Sequence, residues 1–279
     1  MTRRQKRVSA VGLALSVLLA ALGITAEPGK APKKSDPWRI GSLNREGVTP
    51  QQRTQLGMAY LREEIADPTP PYMSMGPIDH EYIIAQLTIA IAQPSLDDPN
   101  HADREMLFQE LQRQPAGEYR DALALTLAMT GDARMTKYVL AYLRDTNKPP
   151  ILREQAVRAL SRLADPETAP LLLPIAVADP VYEIVHAKRR IHGRDPSSPV
   201  VKEYPMRRHV QWLLSHSEAF RNAMSAQARL AVETAQIEVP IPAELQQELA
   251  RQLRELDELR RQAREKGEPI PPTQYYRDR

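Results

Sequence analysis

The chain has 279 residues, of which 42% are hydrophobic and only 5% aromatic, so one large or two medium domains must be filled by Leu, Ala, Ile, Val and Met. With no cysteine, a disulfide framework, a thiolate metal site and a thiol nucleophile are excluded. The formal charge of +3 rests on 38 Lys+Arg against 35 Asp+Glu; residues 1–26 hold four of the bases and no acid, which leaves 34 against 35, or −1, and no global field to draw nucleic acid.

The first element in chain order is an export signal. Arg3, Arg4, Lys6 and Arg7 form a basic start, Val8 to Ala21 is apolar, and Ile24-Thr25-Ala26 is a small-residue exit that permits cleavage after Ala26. The pattern predicts an exported protein, in a bacterial periplasm or secreted, with no membrane span after cleavage. The alternative is an uncleaved anchor in the inner membrane, because Val8 to Ala26 is just long enough to cross a bilayer. Residues 27–49 are rich in Pro, Gly, Lys and Ser and read as a flexible linker.

From residue 50 to about 240 helical patterns follow one another, with no convincing strand. "YRDALALTLAMTGDARMTKYVLAYL" and "LREQAVRALSRLADPETAPLLLPIA" align at a constant offset of 33, which sets Arg120 on Arg153, Leu127 on Leu160 and Asp132 on Asp165. Ile83 to Ile91 and Ala122 to Met129 are apolar nearly all round, as inner-layer helices covered on two sides should be. Asp165 can cap the next helix, Pro166 and Pro170 suit its first turn, and Pro174 should kink that helix or end it early.

These residues carry a family resemblance. Leu152-Arg153, Ala156, Ala159-Leu160, Asp165-Pro166-Glu167 and Pro170-Leu171-Leu172 resemble a HEAT repeat of the short bacterial form called PBS-lyase HEAT-like, clearly over Leu152–Pro180 and moderately over Tyr119–Asp145. The resemblance implies an all-α protein, an α–α superhelix or solenoid of stacked helical hairpins. It also implies a scaffold mediating protein–protein interaction, with no cofactor. A lyase-type enzyme, which the family name suggests, is the alternative.

The next segment, "HAKRRIHGRDPSSPVVKEYPMRRH" (186–209), carries seven basic residues against two acids and is interrupted by Gly193, Pro196, Ser197, Ser198 and Pro199. It reads as a loop projecting from the stack, with Lys188, Arg189, Arg190, Arg194, Arg207 and Arg208 as candidate contacts to an anionic lipid, glycan or acidic protein partner. A solvated loop whose arginines pair with acids elsewhere is the competing account. His186, His192 and His209 lie in the same stretch, but their spacing and the surrounding guanidinium groups do not suit a metal. No Gly-x-Ser-x-Gly, phosphate-binding glycine loop or paired histidine helix occurs, so no catalytic residue is assigned and the protein is read as non-enzymatic.

The last predicted helix spans residues 241–267. Leu245, Leu249, Leu253, Leu256 and Leu259 form one stripe, and Glu248/Arg251, Arg254/Glu258 and Arg261/Glu265 can pair along its surface. It reads as a capping helix docked by that stripe, or else as a coiled-coil dimer seam. Residues 268–279 are expected to be a disordered tail.

Overall fold

A computed structural model describes residues 43, 48–67, 80–97, 103–187, 189–190, 193–266 and 275–278. The export signal and most of the linker lie outside the described residues. The first helix, α1 (Pro50–Ala66), opens on a capping box: Gln52 N donates to Thr49 Oγ1 (3.2 Å), and Thr49 N donates to Gln52 Oε1 (2.9 Å). Pro50 occupies the first helical position, where a missing N–H costs nothing.

Helices α2 (His80–Asp97), α4 (Glu118–Met129), α6 (Pro150–Leu163) and α8 (Pro205–His216) pack successively on one another as an inner layer. The helices between them, α3 (Asp103–Arg113), α5 (Thr136–Arg144) and α7 (Ala169–Ala178), cover α4, α6 and α8 from the other side. Every residue from Ala122 to Met129 is buried, and α2 buries Ile84, Ala85, Leu87, Ala90, Ile91 and Ala92. Their all-round apolar character is therefore that of helices with protein on two sides. At Gly57 of α1 an added Cβ would lie 2.3 Å from Ile91 Cγ1, so glycine is what lets α1 approach α2.

The offset of 33 is a structural repeat as well as a textual one. Asp132 and Asp165 each precede a short 3-10 turn, at Ala133–Met135 and Pro166–Thr168, and each carboxylate accepts the N–H two residues on at 3.0 Å. One residue earlier the backbone is left-handed in both units, at Gly131 (φ 83°) and Ala164 (φ 47°). Two units therefore turn from inner to outer helix by the same backbone path. Pro174 departs from expectation: α7 continues for four residues beyond it. Only the bond to the Pro170 carbonyl is lost, and close packing of α7 on α8 holds the remaining turn.

The stack is interrupted where a continuing helical pattern was expected. Between α7 and α8 the chain forms β1 (Val181–His186), β2 (Arg189–Arg190), β3 (Gly193–Arg194) and β4 (Val200–Glu203), and β5 (Glu238–Pro240) and β6 (Tyr276–Arg277) join later. The main sheet runs β5-β4-β1-β6, all antiparallel, with Glu183 opposite Glu203, His186 opposite Val200, and Tyr182 opposite Tyr276. Val181, Ile184, Val185, Val200 and Val201 are β-branched, and Asp179-Pro180 stops the preceding helix, so this run suits a pleated surface better than a helix. The fold remains predominantly helical and solenoid-like, with the sheet as an annex.

Two short helices, α9 (Glu218–Ala223) and α10 (Ala226–Thr234), close the stack against α7 and α8. The long α11 (Ala243–Lys266) docks on β1 and β4 rather than on helices. Within the tail expected to be disordered, β6 is a strand that pairs with Val181 and Tyr182. Among the described residues no helix is long and apolar enough to cross a membrane.

Candidate functional site

The functional candidates converge on the annex, and Asp179 is its root. Its carboxylate receives both terminal nitrogens of Arg153, a side chain of α6 that is 0% exposed. The same carboxylate accepts the N–H of Val181 at 3.1 Å, and the Asp179 carbonyl accepts Arg207 Nε at 2.9 Å. Arg153 Nε also donates to the Leu143 carbonyl (2.8 Å). A buried charge survives only when paired and fully hydrogen-bonded, and here one pair joins the end of α7, the start of β1 and the base of α8.

The basic segment breaks up into parts with different partners. Lys188 lies outside the described residues, as does His192, and of Arg189, Arg190 and Arg194 only the backbone is described: Arg189 pairs with Arg194, and Arg190 with Gly193. The segment is thus a β-hairpin extension rather than an irregular loop. The turn from β3 to β4 is held by Asp195, whose side chain accepts Ser197 N (3.0 Å) and whose carbonyl accepts Ser198 N (3.0 Å).

Arg207 and Arg208 are not free contacts for an anionic partner. Arg207 stacks on the Tyr204 ring at 3.6 Å and also donates to the Gln236 carbonyl at 3.2 Å. Arg208 forms an ion pair with buried Glu203 and a second with Glu238 at 3.2 Å. Glu203 faces Glu183 directly across the strand pair, so a cation is needed to keep two like charges in register. Both arginines are structural, and the segment's apparent surplus of charge shrinks accordingly.

One face of the sheet carries an aromatic and cationic cluster. Tyr182 stacks on Tyr276 (5.5 Å between centroids) and tilts against Tyr204 (5.6 Å), while Lys202 Nζ lies 4.3 Å from the Tyr182 centroid. Asp278 ties the cluster, accepting Lys202 Nζ at 2.8 Å and Tyr204 Oη at 2.5 Å. The Lys202 ammonium, then the Tyr204 hydroxyl, hold the Asp278 carboxyl below its usual value. Arg277 reaches back to Asn147 Oδ1 (2.9 Å) and the Thr146 carbonyl, so β6 straps the annex to the stack.

The histidines do not converge. His186 is 3% exposed, and its Nδ1 donates to the Ser198 carbonyl at 2.9 Å. Nε2 has no hydrogen-bond partner. His209 on α8 faces Glu154 at 3.5 Å. Among the described residues no group of three or more His, Asp or Glu could hold a metal ion.

The paired acids Glu63-Glu64 and Asp97-Asp98 form no convergent acid–base site among the described residues. Glu64 is buried and bonded to His80 Nδ1 at 3.0 Å, and Glu118 approaches His80 Nε2 at 3.3 Å; the side chain of Asp97, with Asp98, lies outside the described residues.

Two grooves flank β6. One, of about 310 Å³, lies between β1 and α11 and has Leu249, Leu253 and Leu256 as its apolar side, with Asp257 and His186 among its polar lining. The other, of about 370 Å³, lies where Lys148–Ile151 meets Tyr275–Arg277. The predicted leucine stripe is only half docked: Leu249, Leu253 and Leu256 are partly buried, whereas Leu245 and Leu259 are 51% and 54% exposed. Gln246 fixes the helix instead, donating to the Val200 carbonyl (2.8 Å) and accepting the Val200 N–H (2.7 Å), as an adjacent strand would. Sequence reading missed these grooves because they depend on β1. The signal that could have located them was the Val181–Val185 run directly after Asp179-Pro180.

Residues 104–188 match the family model for HEAT repeats. The matched span covers α3 to α7 and ends at the annex, and with the stacked hairpins it supports a HEAT-like repeat architecture for this part of the chain. No curated protein and no solved structure matches the chain. The repeat fold is one commonly used to mediate protein interactions.

Proposed function

We propose that the protein is an exported, non-enzymatic scaffold of the cell envelope that holds a protein partner at its annex. The observation that supports this most is α11: it leaves Leu245 and Leu259 exposed and meets β1 across an open, apolar-sided groove. Exposed leucines flanking the docked stretch of a helix suit an interaction face. Export rests on the basic, apolar and small-residue parts of residues 1–26.

The test has two arms in the native host. Fractionation followed by N-terminal sequencing should find a mature chain beginning at Glu27 in the periplasm or medium; recovery in the cytoplasm with Met1 intact would reject export. A photo-crosslinking residue at Leu259 should capture one protein in stoichiometric yield, while the same probe at Glu154, on the helical stack, should not. Equal, sparse labelling from both positions would reject the scaffold reading.

A further inference from the structure

The inner layer is covered unevenly. Over α4 it is closed, because α2 touches α6 as well as α4. At the offset of 33, Leu125 and Met129 of α4, both buried, correspond to Arg158 and Arg162 of α6, both exposed. The repeat thus changes from a covered apolar face to an open basic one. That face continues onto α8. Arg153 near the start of α6 and Arg207 near the start of α8 both reach Asp179, and Gln211 Nε2 donates to the Ala176 carbonyl (2.9 Å), so α8 runs against α7 and parallel to α6. His209 faces Glu154, and at about 1.5 Å of rise per residue Arg158 is then level with Trp212, and Arg162 with His216.

Trp212 is 57% exposed, and the His216 ring stacks on it at 4.9 Å, with Nδ1 donating to the Trp212 carbonyl at 2.9 Å. The imidazole backs one face of the indole and fixes how the other is presented. Glu154, the acid of this face, is engaged at both oxygens, by Arg158 Nη2 (2.7 Å) and by His209 Nε2 (3.5 Å). Arg158 keeps most of its N–H donors, and Arg162 has no ion-pair partner among the described residues. Asp165, Glu167 and Glu218, the next acids along the chain, stand past the ends of α6 and α8.

We infer that this face binds an acidic glycan, with the C–H face of one sugar ring on the Trp212 indole and sugar carboxylates on Arg158 and Arg162. A small ligand gains affinity by being mostly enclosed, whereas an open face suits an extended chain that spreads its contacts. Among the described residues of α6 and α8, Trp212 is the one large apolar side chain classed as exposed, so the clustered apolar anchors of a protein partner would find no second surface. A pyranose needs only one: it offers a single apolar face with hydroxyls around the rim, for which Glu154, His209 and His216 are hydrogen-bonding neighbours. Nucleic acid can stack on an indole too, but its affinity comes from neutralising many phosphates, and a chain of charge −1 beyond residue 26 supplies no such field.

The site goes beyond the scaffold reading and is separate from the α11 groove; a bound glycan would not register in a search for protein crosslinked at Glu154. The full chain carrying Trp38→Phe, purified from its host, leaves Trp212 as the sole indole. Titration with hexamers of galacturonate and of hyaluronate should shift its emission for at least one of them, and the methyl ester of that hexamer, uncharged but with the same ring faces, should bind about tenfold more weakly. By calorimetry Trp212→Ala should lower affinity about tenfold and Trp212→Tyr should restore part of it. Arg158→Gln with Arg162→Gln should erase the preference for acid over ester while leaving the urea midpoint in place.

No binding of either hexamer at millimolar concentration would overturn the assignment. Equal affinity for acid and ester would remove the arginines from it, and full affinity in Trp212→Ala would remove the stacking site; either result sinks the proposal. Tighter binding of polyglutamate or of an oligothymidylate would replace the glycan with an acidic peptide or a nucleic acid. Each of these outcomes leaves crosslinking at Leu259 untouched, so the glycan face and the scaffold reading fail separately.

Discussion

The repeat stack and the annex are built on different principles. From α1 to α10 the buried apolar side chains form one continuous cluster, with Leu61, Ile84, Leu123, Leu143, Leu160 and Val210 among its fully enclosed members. Val181, Val200 and Val201 of the sheet, with Tyr204 and Ile241 just beyond its strands, are buried but stand outside that cluster. The annex is held by polar ties instead: Arg153 to Asp179, Arg208 to Glu203, Lys202 to Asp278 and Gln246 to Val200. Apolar stacking tolerates substitution among residues of similar volume, whereas a charged tie fails when one partner is removed. The same polar construction leaves open grooves, which a repacked apolar annex would have closed.

The largest effect that can break this contrast is at the junction itself. Arg153→Met should cost about 3–5 kcal/mol, because it strands the Asp179 carboxylate in an apolar interior. The urea midpoint should fall, and by hydrogen exchange β1 should loosen together with α6. Arg153→Met with Asp179→Leu should recover much of the loss in the stack while leaving the annex loose; recovery of both would show that the annex does not depend on the tie. Next comes Gly57→Ala, within the stack alone. The new methyl group would lie 2.3 Å from Ile91 Cγ1, and the cost should be about 1–3 kcal/mol with no change in exchange at β1.

How much of this was legible in the sequence also divides along the same line. The repeat was readable because its determinants are local: the Asp132 and Asp165 caps, the proline first turns and the runs of small apolar residues recur at fixed spacing. The annex was not, since Val181–Glu203 has few residues, its hairpin partners are joined by a charged turn, and β5 and β6 come from far along the chain. Arg207 and Arg208 looked like an exposed basic patch because their acid partners, Glu203 and Glu238, become neighbours only once β4 and β5 pair. Leu245 and Leu259 were read as docked with the rest of their stripe, although α11 meets the sheet through Gln246 and the stretch from Leu249 to Leu256.

A smaller effect lies at the repeated turn. Ala164 adopts the left-handed conformation that Gly131 adopts in the neighbouring unit, and a side chain there costs about 1–2 kcal/mol, part of which glycine would give back as unfolded-state entropy. Ala164→Gly should therefore raise stability by up to about 1 kcal/mol, and Gly131→Ala should lower it by a similar amount. Opposite signs in thermal melts of the two variants would show that both turns are under the same backbone constraint; equal signs would mean that the units are not equivalent.

The smallest expected effect is a tilt in the pH profile of the stack. His80 joins α1, α2 and α4 through Glu64 and Glu118, and its pKa is raised above the ordinary 6.5, first by the hydrogen bond it donates to buried Glu64, against the opposing effect of burial, and then by the Glu118 charge. A group whose folded pKa exceeds its unfolded value favours the folded state fully below pH 6.5 and loses that contribution as pH rises through the folded pKa. Melting temperature should thus decline on the alkaline side of pH 6.5, and His80→Gln should remove that part of the decline while preserving a hydrogen bond to Glu64. The opposite slope would require the unfolded chain to bind the proton more tightly than the Glu64–His80–Glu118 bridge does. Because His80 belongs to the stack and not to the annex, the protection of the Ile184 amide relative to its intrinsic exchange rate at each pH should be unchanged across the same range.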